Sequence, residues 1–529
     1  HKNHTTFNTA TTMSQLSTFT PIPPRLDSDQ QHNSDENDSS STSSSKILLD
    51  ETTKLFQIAF PTAIIQLALV AIFPMTASII GRLLDTNSLA GFSLSTLAMN
   101  MTCLSIILGS MTAADTLQPR AMAMGRYKEV GLLSIRGYII CAMILFAPVI
   151  LLVFKVEDIL MFLGQDAVAS HLAQEWSRIY SLGIPFVLFF RVSQRFLSAQ
   201  HVVLPLAVAS VIGSFLFHPY SLKLWVAVGG FAGSAFAVVV TQIFTSLIAV
   251  WYLCWKKPYH AETWPGVNGD TLREALLPQK VARFLKLGMG GILSFTEWWF
   301  WEALCFTAGK LGVIPLCAHT IAYQMVPLSF MIPLGISLGL TIRIGSTLPT
   351  SVHRAKKIAI WCTLFSVVLG VVVATLLYMY RLDIIYSFTN DELVIQECEK
   401  IWIYTCIHLC NLHVMAMLNG IVRALGLQMR SGIATVVVLW VCALPLIYNG
   451  SVVKNGGLVH MWKSLPLTYF LLNVALFLCF ALSDWSEIRD DIVKRGRKSI
   501  ADSKDAASRS TENVLLLLNP DESSLYGTT

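Results

Sequence analysis

Asp158-Ile159-Leu160-Met161-Phe162-Leu163-Gly164-Gln165-Asp166 returns 225 residues later as Asp383-Ile384-Ile385-Tyr386-Ser387-Phe388-Thr389-Asn390-Asp391. Each copy leads into an apolar run, 174–197 after the first and 398–422 after the second. Either run is long enough to cross a bilayer, which takes about 20 residues. A second echo follows near the ends of these runs: Phe196 to Gln200 is answered, 225 to 230 residues on, by Arg423-Ala424-Leu425-Gly426. The two halves read as copies of one unit.

Outward from this repeat, twelve stretches are predicted to span a membrane: 55–80, 89–113, 131–154, 174–197, 202–218, 224–253, 281–309, 315–342, 357–380, 398–422, 432–448 and 464–483. His218-Pro219 is expected to close the fifth early. Six spans per half leave the copies in the same orientation, related by an axis along the membrane normal. Composition agrees. Of 529 residues 54% are apolar and 13% charged, and the mean hydropathy is +0.58. That charge fraction is about half of the soluble norm. The net charge of +5 comes without a long basic tract, which argues against a nucleic-acid partner. The expected fold is an all-α polytopic membrane protein with twelve transmembrane helices in two six-helix lobes. Its parts are a disordered polar tail over 1–50, an N-terminal lobe over 51–253, an inter-lobe linker over 254–280, a C-terminal lobe over 281–483 and a polar tail over 484–529.

Arg120, Arg126, Lys128, Lys256 and Lys257 crowd the even-to-odd connections, whereas the opposite loops carry acids such as Glu157, Asp158 and Asp383. The positive-inside rule then places both termini, the linker and both tails in the cytoplasm. Eleven cysteines lie mostly inside apolar runs, without the short spacing of a metal or redox motif, and read as small buried hydrophobes. No phosphate-cradling loop, metal cluster or catalytic constellation is visible, so neither an enzyme nor a cofactor is expected.

The seventh span holds the sharpest feature, Glu297-Trp298-Trp299-Phe300-Trp301-Glu302. A carboxylate at the centre of a spanning helix costs about 2.5–3.5 kcal/mol on insertion scales, so it marks a site by default. The two acids are offset by about 7.5 Å along the axis and about 140° around it, so they do not share a face. Two readings stand: proton- and substrate-binding acids, or acids satisfied by polar partners that lock helices together. Trp298 and Trp301, one turn from Glu302 and Glu297, suit a flat cation through their ring faces, or serve packing. In the eighth span His319, Tyr323 and Gln324 precede Pro327 and Pro333. In the tenth, His408 and Asn411 share a face, with His413 nearby. In the first half, Asp115 reads as a loop anchor against a basic residue. Arg191 and Arg195 either snorkel or clamp the end of the fourth span against acidic partners.

These residues resemble the multidrug and toxic compound extrusion (MATE) transporter family, in its eukaryotic branch. The likeness runs from about residue 50 to residue 483. It is carried by Asp115-Thr116-Leu117 with Gly125, Leu163-Gly164-Gln165-Asp166, Gln194 to Gln200, Glu297 to Glu302, and Met331-Ile332-Pro333-Leu334-Gly335-Ile336-Ser337 running on to Arg343-Ile344-Gly345. The resemblance implies a V-shaped, two-lobed antiporter. It would export organic cations, drugs or secondary metabolites in exchange for protons, with sodium as the alternative ion. It also implies substrate and proton binding at Glu297 and Glu302 in the C-terminal lobe.

Gln118-Pro119-Arg120-Ala121 departs from the family's usual Cys-Gly-Gln-Ala, placing Arg120 at a gate. Gln324 and Asn411 stand where animal-type relatives carry acids, and the first span lacks the acid of many prokaryotic members. Coupling is therefore expected to rest on Glu297 and Glu302. Trp298, Trp301, Tyr323, Gln324, Asn411 and His319 are the other candidate site residues. Asp115, Arg120, Arg195 and Arg423 are gate or structural groups. The expected partners are a small organic substrate, protons and lipids, acting on a monomer in a plasma or vacuolar-type membrane. A lipid or lipid-linked sugar flippase and a non-transporting receptor or scaffold are the alternatives.

Overall fold

The computed structural model describes residues 40–497 except 85, 258, 389–390 and 496. Among the described residues there are helices and no strands. Nine helices in this set are long and apolar enough to cross a membrane. The twelve spans are recovered once three features are recognised. The fourth span is two helices, Ala167–Ser181 and Ile184–Ser198. The seventh is also two, Pro278–Ser294 and Thr296–Gly309. The helical run Leu204–Lys256 holds both the fifth and sixth spans. Large apolar side chains such as Phe146, Leu216, Val372 and Leu467 point outward and stay exposed, as lipid-facing helices require. The chain is an integral, multi-pass membrane protein.

Buried apolar residues form two main clusters, one for each half. One gathers residues such as Trp176, Tyr180 and Leu188; the other gathers Trp402, Trp462 and Tyr469. The sequence repeat has a local physical cause. Asp166 caps the fourth span by accepting a hydrogen bond from the Ala169 amide (2.9 Å), and Asp391 caps the tenth by accepting from Leu393 (2.9 Å). The short helices Val156–Phe162 and Arg381–Phe388 lead up to the two caps. Thr389 and Asn390 of the second copy lie outside the described residues.

The boundary between the fifth and sixth spans differs from expectation. The helix does not end at His218-Pro219; it continues to Gly230, where φ is +55°. A wider π turn over Ile212–Phe217 precedes Pro219 and relieves the clash of its ring with the preceding turn. The other half repeats the device, with a π segment over Val436–Ala443 before Pro445. His218 is fully buried and ties three spans together, 2.9 Å from Thr241 and 3.0 Å from Thr76.

Both polar tails also begin differently. The tail expected over 1–50 lies outside the described residues up to 39, but Ser40 already starts the helix Ser40–Leu83. After the last span, 485–495 is helical, and Trp485 and Ile492 are buried in the C-terminal cluster. Polar composition concealed these two apolar anchors. The expected linker is not free either. Gln200 accepts from the His260 amide (2.9 Å), His260 stacks on Tyr127, and Arg136 donates to the Ala275 carbonyl (2.7 Å).

The lobes meet where the second span crosses the seventh. Here Gly109 faces Ile292 and Gly291 faces the Gly109 carbonyl and Thr112, leaving no room for a β-carbon. Gly335 and Gly339 of the eighth span likewise pack on Ala63 and Ala59 of the first. Hydrogen bonds reinforce the seam. Thr116 donates to the Arg423 carbonyl (2.6 Å), Arg120 to the Ala424 carbonyl, and Gln428 to the Thr112 carbonyl (3.2 Å).

Candidate functional site

Glu297 sits in the first turn of the helix Thr296–Gly309, just past the break at Phe295. A helix start favours a negative charge through its free amides and dipole. The side chain is 7% exposed, and two neutral groups donate to the same oxygen: the Tyr469 hydroxyl (2.6 Å) and the Trp301 indole (3.1 Å) meet at Oε1. Oε2 makes no hydrogen bond among the described residues, and no cation pairs with this carboxylate there.

Beside Glu297 lies a small cavity of about 50 Å³, room for a few waters in this arrangement of the lobes. Its wall combines Thr112 of the N-terminal lobe with Ser294, Glu297, Trp298, Ser337, Asn419, Arg423 and Gln428 of the other half. It therefore lies against the C-terminal lobe, at the edge where Thr112 of the other lobe meets it. Arg423 is 8% exposed and donates to Ser337 Oγ (2.6 Å).

Behind Glu297, away from the cavity, is an aromatic cluster within the C-terminal lobe. Trp301 is buried with ring centroids 5.4 Å from Tyr323, 5.2 Å from His408 and 6.2 Å from Tyr469. His319 is fully buried, stacks with Tyr323 and lies 3.3 Å from Cys305 Sγ. His408 is fully buried, and neither of its ring nitrogens has a partner among the described residues.

The sequence candidates thus divide between two places. Glu297 and Trp298 reach the cavity; Trp301, Tyr323 and His319 stand in the cluster behind it. Glu302 is half-buried, outside the cavity wall, and forms no hydrogen bond or ion pair among the described residues. Asn411 is occupied in joining helices: it donates to the Ile407 and Pro466 carbonyls, and its own carbonyl accepts from Asn473 (2.9 Å). Gln324 is exposed and belongs to neither place. Asp115 pairs with Arg195 at 3.2 Å, and both are buried. Arg191 turns to the Gln66 side-chain oxygen (2.6 Å). Sequence reasoning missed Tyr469, the shortest contact of Glu297, and Ser337, the partner of Arg423. Tyr469 lies seven residues after Trp462, on the same face of the helix Gly457–Ala481, a spacing that could have drawn attention to both.

Comparison with known proteins adds three findings. A profile of the MatE family matches residues 61–221 and 291–449. The chain is 27% identical to multidrug and toxin extrusion protein 1 of Danio rerio over 462 residues, covering 86% of this chain and 76% of the relative. It is 26% identical to multidrug and toxin extrusion protein 2 of Oryctolagus cuniculus, covering 84% and 73%. Among solved structures, the eukaryotic MATE transporter AtDTX14 superposes with a TM-score of 0.78 at 18% identity, over 85% of this chain and 100% of that one. The Vibrio cholerae MATE transporter VcmN in its bent form gives 0.69 at 16% identity, over 84% and 99%.

Proposed function

Since the chain belongs to the MatE family of multidrug and toxin extrusion transporters, we propose that it is a secondary active antiporter that exports organic cations, drugs or secondary metabolites in exchange for protons. The observation that carries this reading is the setting of Glu297: a deeply buried carboxylate at the wall of this cavity, held by neutral donors only. An acid without a cation partner changes the local charge by a full unit when it takes up a proton. The same acid beside an arginine would be held ionised by its partner and would take up a proton far less readily.

In this reading, ionised Glu297 attracts a cationic cargo, with Trp298 offering a ring face from the same wall. Proton uptake from the opposite side removes the charge and releases the cargo. Linkage requires each ligand to lower the other's affinity. Glu302 assists from the half-buried part of the same helix. The seam of Thr116, Arg120 and Gln428 is the gate that must part for the cavity to open on its other side. Both termini are assigned to the cytoplasm and the protein to a plasma or vacuolar-type membrane. It works as a monomer without cofactor or enzymatic step.

The test is gradient-driven uptake into liposomes holding the purified chain. A pH gradient should drive accumulation of a cation such as benzyltrimethylammonium, and an equal sodium gradient should not. Glu297→Gln protein that folds and still accumulates the cation at the wild-type rate would overturn the assignment.

A further inference from the structure

Arg423 has a counterpart in the other lobe, and the two are partnered differently. Arg195-Phe196-Leu197-Ser198-Ala199-Gln200 ends the fourth span, and Arg423-Ala424-Leu425-Gly426-Leu427-Gln428 ends the tenth, with arginine, leucine and glutamine in register. In the N-terminal lobe the arginine meets a carboxylate, Asp115, at 3.2 Å. In the C-terminal lobe, among the described residues, its side chain meets only the Ser337 hydroxyl, at 2.6 Å.

Asp115 is also near enough to act on Arg423 and Arg191 electrostatically, but it is a single acid shared by three buried guanidinium groups. Arg191 is directed to Gln66 and Arg195 to Asp115 and Gln194. The neighbourhood keeps an excess of positive charge, and of the three only Arg423 reaches the cavity. It is more than nine-tenths buried, and its Nε–H, like that of Arg195, makes no hydrogen bond among the described residues. A buried guanidinium with an idle donor is costly unless something accepts from it.

The geometry points to an anion subsite at Arg423, on the same cavity wall that holds Glu297, so that the preferred cargo is zwitterionic: its cation toward Glu297 and a carboxylate on Arg423. Asn419, on the same wall, adds an amide donor, whereas the Ser294 and Ser431 hydroxyls there already donate to the Gly290 and Gln428 carbonyls. The guanidinium fork matches the planar carboxylate, and both oxygens are served at once. Glu297 and Arg423 form no ion pair with each other, which leaves both charges available to a ligand that separates its own. This rests on the antiport reading for its cationic end and extends it by an anionic one.

The experiment compares three related aromatic probes on the purified, full-length protein: benzyltrimethylammonium, its 4-carboxylate and benzoate. Equilibrium binding is read for wild type, Arg423→Gln and Arg423→Lys, with folding checked by size-exclusion profile and thermal melt. In wild type the carboxylate should raise affinity over the plain cation by roughly tenfold to a hundredfold, the scale of a charge-assisted bidentate contact. Arg423→Gln should erase that ratio, and Arg423→Lys should restore only part of it. The ratio, rather than either affinity, is the readout, so a general weakening of the variant does not imitate the result.

If the plain cation binds and the carboxylate gives no gain in wild type, the subsite is overturned while the antiport reading stands. An unchanged gain in Arg423→Gln also overturns it. If the zwitterion and benzoate bind through Arg423 while the plain cation neither binds nor is transported, the subsite stands and the organic-cation reading falls. Should the glutamine variant fail to fold, the wild-type gain and its partial loss in the lysine variant decide the matter alone.

Discussion

The two lobes share one plan, down to the capping aspartates and the π turn before a proline, yet they treat a buried acid in opposite ways. In the N-terminal lobe Asp115 is held by Arg195 across 3.2 Å. In the C-terminal lobe Glu297 is held by a phenol and an indole. An acid beside a guanidinium keeps its charge, because giving it up strands the partner in a poorly polarisable interior. An acid beside neutral donors strands no cation when it takes up a proton, and when ionised it is a buried charge that an incoming cation can match. The same scaffold therefore supports a fixed joint on one side and an exchangeable site on the other.

The largest effect should come from breaking the fixed side. Asp115→Asn leaves Arg195 without its ion-pair partner and should cost about 3–5 kcal/mol of stability, read as a lower melting temperature of the purified protein. Arg195→Gln added to Asp115→Asn should recover part of that loss. If Asp115→Asn melts like wild type, the two lobes do not differ in the way argued. Glu297→Gln should do the reverse: a melting temperature close to wild type, and a loss of gradient-driven uptake of about a hundredfold, the upper range of usual coupling free energies.

Smaller effects sharpen the contrast. Gly291→Ala would bring a β-carbon to within 2.1 Å of the Gly109 carbonyl oxygen. It should weaken the closed seam by about 1–3 kcal/mol. In a cysteine-depleted background, a cysteine at Thr116 should then react severalfold faster with a membrane-impermeant maleimide. Tyr469→Phe removes the shorter of the two donors to Glu297 and should cost about 1–2 kcal/mol. Substrate affinity should change severalfold in uptake titrations, with Trp301 still in place.

Much of the fold could be read from the chain because lipid imposes a strong one-dimensional signal, long apolar runs broken by polar turns. The failures occurred where that signal is silent. Pro219 looked like a stop because a π turn cannot be recognised in Ile212–Phe217. The break at Phe295 has no proline or glycine at its centre. Trp485 and Ile492 were hidden among charged neighbours. At the site, Glu297 was conspicuous because an acid among tryptophans is expensive in a membrane. Its partner Tyr469 lies 172 residues away, and Ser337 looks like any small polar residue, so neither could be linked to the charge it serves without the packing. Asn411 and Gln324 stand out as polar residues in apolar spans; in this chain Asn411 is consumed by helix contacts and Gln324 is exposed.

The glycine crossing of the second and seventh spans carries a mechanical consequence. Backbone rests against backbone there, so parting the helices uncovers carbonyls and methylenes rather than leucine or phenylalanine side chains. Cohesion there comes from close van der Waals packing and from the hydrogen bonds of Thr116, Arg120 and Gln428 beside it, not from large apolar side chains. A joint of this kind is short-ranged: it registers accurately when shut and lets go over a small displacement.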